Sequence, residues 1–209
     1  MAERFRRSIV PSTIIRLSAV DRPARVAAAL RRATGGRARV DLYMAFDDPC
    51  SAVALVDLAQ RLDGRPVDLV PLPVVARGIP DDPALQAKRE YAIVDARRLA
   101  HRRGRILSRD APLAPTAVAG LAARAMALPE AERLAFCVRA CEALWLGGPD
   151  VDDAGAADED AVRENERRMV RRGPYDTPAA VIGRDWWFAH DRLAQIGERL
   201  DQLGWTAAP

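Results

Sequence analysis

The chain has 209 residues, 49% of them hydrophobic, so it can bury one substantial core and is not a disordered chain. No apolar run approaches the roughly 18 residues of a membrane-spanning helix, and the N-terminus carries too many arginines for a secretory signal, so we expect a cytoplasmic protein. The net charge of +3 is uneven: residues 1–39 hold ten arginines against Glu3 and Asp21, which leaves the remainder at about −5.

The basic character belongs to residues 1–37, which we interpret as an N-terminal extension with a short helix. Residues 21–34 predict that helix, because Asp21 can cap it, Pro23 suits its first turn and Gly35-Gly36 can end it. A solvated arm or packed helix is favoured over contact with nucleic acid or an acidic partner, since single-strand binders interleave basic residues with stacking aromatics.

A strand, a helix and a second strand are predicted next. In residues 39–46, apolar side chains alternate with polar ones before the segment becomes wholly apolar, as in a strand near the centre of a sheet. Asp47-Asp48-Pro49 then supplies capping carboxylates and a first-turn proline for a helix that ends at Asp63-Gly64. A short apolar strand runs from Val67 to about Leu72, and a right-handed crossover would leave the two strands parallel.

Residues 73–157 predict a helical insertion. Prolines and a glycine interrupt residues 73–84, after which helices are predicted over 84–103, 116–127 and 129–146. The acidic stretch 148–160 lacks the ordered spacing of a calcium loop and is interpreted as a solvated linker.

The C-terminal part predicts a helix at about 158–171, an antiparallel hairpin, and a last amphipathic helix that Asp191 opens. Thr177-Pro178 precedes the hairpin and is a candidate for the rare cis isomer. This order of elements predicts an α/β protein: a thioredoxin-like fold, formed by 38–72 and 158–206, with an inserted all-helical subdomain.

Four stretches carry a resemblance to a known family: DLYMAFDDPCS, AKREYAIVDARRLAHRRG, CVRACEALWLGGPDVDD and GPYDTPAAVIGRDWWFAHDRL. The four stretches occur in the family's order and together span roughly residues 39–205. Through them the sequence resembles 2-hydroxychromene-2-carboxylate isomerases and kappa-class glutathione transferases. These proteins form part of the DsbA-like branch of the thioredoxin superfamily.

The resemblance implies a thiol site at the turn 48–51. Unpaired N–H groups at a helix start stabilise a thiolate there. The family has a serine before the proline, whose hydroxyl donates to the sulfur of glutathione, whereas this chain has Asp48. An ionised carboxylate cannot donate and would raise the pKa of a nearby thiol. Asp48 could instead act as a general base, as a protonated donor if burial raises its pKa, or only as an N-cap.

Two further residues of this turn are candidates for catalysis. Cys50 occupies the family's aromatic position and Ser51 matches its second serine, so disulfide exchange by a CxxC mechanism is excluded. Cys50 is a reactive thiol at a helix start or, the favoured alternative, an inert, partly buried side chain. Because Cys137, Cys141 and the two histidines show no ligand spacing either, we expect no metal site.

The remaining site residues are implied by position in the family's motifs. Thr177 and Pro178 would pair with the cysteinyl part of a glutathione-like ligand. Asp191 and Arg192 match the family's aspartate-arginine pair, whose aspartate meets the γ-glutamyl ammonium of glutathione, although capping alone would explain Asp191. Three residues are expected to contact substrate: Lys88, Tyr91 and Phe46.

The resulting expectation is an isomerase-like or transferase-like enzyme for a small aromatic or unsaturated carboxylate, with glutathione or another low-molecular-weight thiol as cofactor. The family implies a homodimer. Two alternatives stay open: a non-catalytic DsbA-like binding or assembly protein, and a thiol-independent acid/base isomerase that uses Asp48.

Overall fold

A computed structural model describes residues 22–79, 81–151 and 154–206. The helices of this part of the chain are α1 (Arg22–Ala33), α2 (Pro49–Leu62), α3 (Leu85–Arg102), α4 (Pro115–Ala127), α5 (Glu130–Cys141), α6 (Glu159–Arg172) and α7 (Leu193–Gln202). A π-helical turn, Glu142–Leu146, follows α5 directly. The strands are β1 (Ala38–Met44), β2 (Val67–Pro73), β3 (Ala179–Ile182) and β4 (Asp185–Phe188).

The four strands form one mixed sheet in the order β2-β1-β3-β4. β1 pairs in parallel with β2 and antiparallel with β3, and β3 pairs antiparallel with β4. The parallel pair is joined through α2, as a strand-helix-strand unit requires. The arrangement confirms the predicted α/β class and the thioredoxin-like order of elements, with helices α3 to α5 inserted after β2.

Alternate side chains of β1 face two different layers. Leu42 and Met44 belong to a large core that also contains α2, α7 and the inserted helices. Tyr43 lies on the opposite face in a smaller cluster with Leu72 and with Met169 of α6. The sheet is therefore covered on both faces, and the carboxyl end of β1 leads into the start of α2 between these layers.

Two details of the predicted elements are wrong. The helix predicted over 129–146 ends as an α-helix at Cys141 and continues as the π-helical turn, which closes at Gly147 with a φ of 74°. Asp191 does not cap the last helix, because α7 begins at Leu193 after Arg192, with no side-chain cap hydrogen bond. Residues 1–21, including the predicted cap Asp21, lie outside the described residues.

Among the described helices, none combines the length and the apolar character needed to cross a membrane.

Candidate functional site

Asp48 lies at the start of α2 and caps that helix. The backbone N–H groups of Cys50 and Ser51 donate to its two carboxylate oxygens, with N···O distances of 3.0 and 3.2 Å. The Ser51 hydroxyl also donates to Asp48 Oδ2, at 2.6 Å, and accepts a hydrogen bond from the Ala45 N–H at 3.2 Å. Ser51 therefore ties the capping carboxylate to the end of β1.

The turn before β3 meets this helix start. Thr177 Oγ1 donates to Asp48 Oδ2 at 3.1 Å, which joins two segments 129 residues apart in sequence. The Thr177–Pro178 peptide bond is cis. Asp48 thus accepts four hydrogen bonds, two from backbone groups and two from hydroxyls, and three of the four end on Oδ2.

The carboxyl group of Asp48 is almost completely buried, with 7% of the residue exposed. Burial raises its pKa above the ordinary value of 3.8, and the negative charges of Asp176 and Asp47 act in the same direction. The positive charge of Arg77 and the hydrogen bond from Ser51 oppose this rise. A buried carboxyl group with a raised pKa is better suited to accept and return a proton than an exposed aspartate.

Arg77 and Asp47 form a nearly buried ion pair beside Asp48. Two guanidinium nitrogens of Arg77 donate to the two carboxylate oxygens of Asp47 at 2.8 and 3.1 Å, and Arg77 Nε lies 3.6 Å from Asp176 Oδ1. Sequence reasoning missed Arg77, since the pair joins segments 30 residues apart. Its only sequence signal is an arginine in the loop after β2, where the carboxyl ends of adjacent parallel strands meet.

Cys50 does not have the properties of a nucleophile. Its residue is 8% exposed, and burial, followed by the charge of Asp48, raises the pKa of its thiol. The thiol lies 3.8 Å from the Ala92 carbonyl oxygen. At neutral pH the thiol is protonated and packs between α2 and α3, which argues against Cys50 as a catalytic residue and supports the inert alternative.

The ring of Phe46 lies in the core and not on a ligand-accessible surface, which corrects its assignment as a substrate contact. The residue is 1% exposed, and its carbonyl oxygen accepts a hydrogen bond from Trp145 Nε1 at 2.8 Å. Trp145 belongs to the π-helical turn, so the inserted helices hold the backbone that leads to Asp48.

Lys88 and Tyr91 lie on the exposed side of α3 and make no described contact with Asp48. Lys88 is paired with Asp82, and Tyr91 is 57% exposed. The structure therefore does not bring Lys88 or Tyr91 into contact with the Asp48 site, and their contacts with substrate stay predictions.

Asp191 and Arg192 lie just before α7 and are about half exposed. Arg192 Nε is 3.7 Å from Asp191 Oδ1. Their proposed contacts with a ligand stay predictions.

The site with an ionised Asp48 does not fit a bound thiolate. In that state the hydroxyls of Ser51 and Thr177 both donate to Asp48, so neither is free to donate to sulfur, and the carboxylate repels a thiolate. Within the described residues there is also no group of three or more histidine, cysteine, aspartate or glutamate side chains that could hold a metal ion.

Solved structures share this fold, among them an isomerase and a probable oxidoreductase. A 2-hydroxychromene-2-carboxylate isomerase structure has a TM-score of 0.64 at 20% sequence identity, covering 79% of this chain and 96% of that one. A probable DsbA oxidoreductase from Streptomyces coelicolor has a TM-score of 0.60 at 18% identity, covering 83% of this chain and 92% of that one. No protein-family model and no curated protein sequence matches this chain. The likeness shows that the chain has the DsbA-like thioredoxin fold.

Proposed function

We propose that this protein is an isomerase-like enzyme that acts on a small aromatic or unsaturated carboxylate and uses Asp48 as its general acid-base group. The observation that carries the proposal is the buried Asp48 carboxyl group, which has a raised pKa and is bonded to the hydroxyl of Thr177. The isomerase among the structures of similar fold supports an isomerase-type activity in coarse terms only.

The proposed reaction is a proton transfer that begins and ends at Asp48. The carboxylate takes a proton from an acidic position of a conjugated substrate, and the electron pair left behind spreads over the conjugated system. The double bond then loses bond order and can rotate, after which Asp48 returns the proton. Atoms and charge balance without a redox partner, and the hydroxyls of Ser51 and Thr177 hold the carboxylate in one orientation.

The direct test replaces Asp48 by asparagine and measures interconversion of 2-hydroxychromene-2-carboxylate, the compound named for the structure of similar fold. Asparagine is also a good N-cap, so the helix start is retained while proton transfer is lost. We expect activity to fall by about 10²–10⁴-fold. Asp63→Asn, at the exposed far end of α2, is the matched control and should leave activity unchanged. An active Asp48→Asn variant would contradict the proposal.

Two measurements distinguish the thiol-dependent mechanism from the proposed one: calorimetric titration with glutathione, and activity with and without glutathione. Both are made on the natural protein and on Asp48→Ser. The proposed mechanism predicts no glutathione requirement. If neither protein binds glutathione, the thiol-dependent hypothesis is wrong. If glutathione-dependent activity appears only in Asp48→Ser, and the natural chain shows no isomerase activity with or without glutathione, the natural chain is a binding protein that kept the fold and lost the serine.

The binding or assembly alternative assigns the interaction to residues 1–37. It requires that deletion of these residues abolishes capture of a partner, and unchanged capture would contradict it. The homodimer implied by the resemblance is a further prediction, which analytical ultracentrifugation of the full chain can check.

A further inference from the structure

A groove of about 780 Å³ has Arg77, the partner of Asp47, in its wall. It is bounded by the loop after β2, by Arg89 of α3, by one side of α6 and by Tyr175. Its volume is in the range of small-molecule sites, which is about 300–1,000 Å³.

Part of the groove surface is apolar. Met169 of α6 contributes from the buried cluster under the sheet. Val170 and Tyr175, 67% and 50% exposed, are large apolar side chains that the described residues leave open to solvent. Such a surface suits an aromatic or aliphatic body.

The charged residues of the groove are four arginines and one glutamate: Arg77, Arg89, Arg167, Arg171 and Glu166. Glu166 is already satisfied, because its Oε1 accepts from the N–H groups of Val75 and Ala76 at 3.0 and 2.8 Å. The groove therefore favours an anionic ligand.

Three of the arginines are engaged with carboxylates. Arg77 binds Asp47, while Arg167 and Arg171 share the single carboxylate of Glu164. Arg89 is partly buried, and within the described residues it makes no hydrogen bond or ion pair. A guanidinium without a protein partner can form charge-assisted hydrogen bonds to an incoming anion.

The groove is connected to the Asp48 site through two residues of its wall. Arg77 lines the groove and also holds Asp47, the residue before Asp48. Tyr175 lies two residues before Thr177, and its carbonyl oxygen accepts from the Gly78 N–H at 2.8 Å.

We propose that this groove binds the carboxylate end of the substrate, with Arg89 as the residue that recognises the carboxylate and Val170 and Tyr175 contacting the apolar body. This inference rests on the proposed function for the class of substrate. It assigns selectivity for an anion to Arg89 and leaves the proton transfer to Asp48.

The test uses 4-phenylbutyrate and 4-phenylbutylamine, two probes that share an apolar body and carry opposite charges. Calorimetric titration of the full chain should show binding of the carboxylate and at least tenfold weaker binding of the amine. Arg89→Gln should weaken binding of 4-phenylbutyrate about tenfold or more, because a charge-assisted hydrogen bond is lost. Arg97→Gln, an exposed position on the same helix, is the matched control and should bind like the natural protein.

A second variant, Val170→Asp, places a negative charge on the exposed rim of the groove without touching the core and should also weaken binding of 4-phenylbutyrate. No binding of 4-phenylbutyrate, equal binding of the two probes, or unchanged binding in Arg89→Gln would overturn the inference. Binding is measured without turnover, so this failure is distinct from loss of the Asp48 mechanism. Charge-selective binding together with a fully active Asp48→Asn variant would refute only the proposed function.

Discussion

The Asp48 carboxyl group is subject to two opposing influences. Four hydrogen bonds stabilise its charged form, as does the nearby guanidinium of Arg77, whereas removal from water stabilises its protonated form. The pKa of Asp48 is raised overall because burial is the largest of these effects. A serine at this position would have no comparable charge to bury. The presence of aspartate instead of serine therefore changes the chemistry available at the helix start.

The raised pKa of Asp48 predicts a pH dependence of stability. Between the ordinary value of 3.8 and the raised value, the folded protein holds a proton that the unfolded chain has lost. Stability from this group therefore decreases as pH rises through that window. We expect the free energy of unfolding of Asp48→Asn to increase relative to that of the natural protein from acid to neutral pH, because only the natural protein loses the contribution of the protonated carboxyl group. Urea unfolding of both proteins at a series of pH values checks this, and a difference independent of pH would contradict it.

The helices and strands were accessible from sequence because their signals are local. Apolar periodicity and turn residues predicted the bounds of α2 and α6 to within a residue or two. The sequence does not predict the π-helical turn. Its hydrogen bonds span one residue more than those of an α-helix, and over a single turn this does not disturb the apolar periodicity of residues 129–146.

The candidate site was accessible only in part. The meeting of Asp48 with Thr177 followed from the resemblance and not from periodicity. The spacing of Lys88 and Tyr91 indicates a shared helix face, but not whether that face turns toward the site. The contacts of Arg77 and Glu166 join distant segments, and no local pattern encodes such pairs.

The contact of α6 with the loop after β2 depends on Glu166. Replacing Glu166 by alanine removes the acceptor for the N–H groups of Val75 and Ala76, whereas glutamine retains a side-chain oxygen that can accept both. We expect amide exchange at residues 75 and 76 to accelerate about tenfold in Glu166→Ala and to change little in Glu166→Gln. Hydrogen exchange followed by NMR checks this. Equal acceleration in both variants would mean that charge, and not the hydrogen bonds, holds the loop.

At the scale of the whole molecule, the insertion and the sheet share one core. The large apolar cluster contains residues of β1, α2, the inserted helices and α7. Two buried side-chain bonds also cross between segments: Trp145 Nε1 donates to the Phe46 carbonyl at 2.8 Å, and Asn165 Nδ2 donates to the Pro73 carbonyl at 3.0 Å. A shared core with buried hydrogen bonds between its segments is expected to unfold as one cooperative unit.

Trp145→Phe tests this cooperativity, because it keeps an aromatic ring and leaves the buried Phe46 carbonyl without its donor. The cost should be about 1–3 kcal/mol. If the molecule unfolds as one unit, hydrogen exchange should show the same loss of protection in α5, within the insertion, and in β1 of the sheet. Trp187→Phe, at a partly buried position of β4, is the control and should have a smaller effect. Loss of protection confined to α5 would show that the insertion unfolds independently, and the positioning of Asp48 would then depend on the sheet and α2 alone.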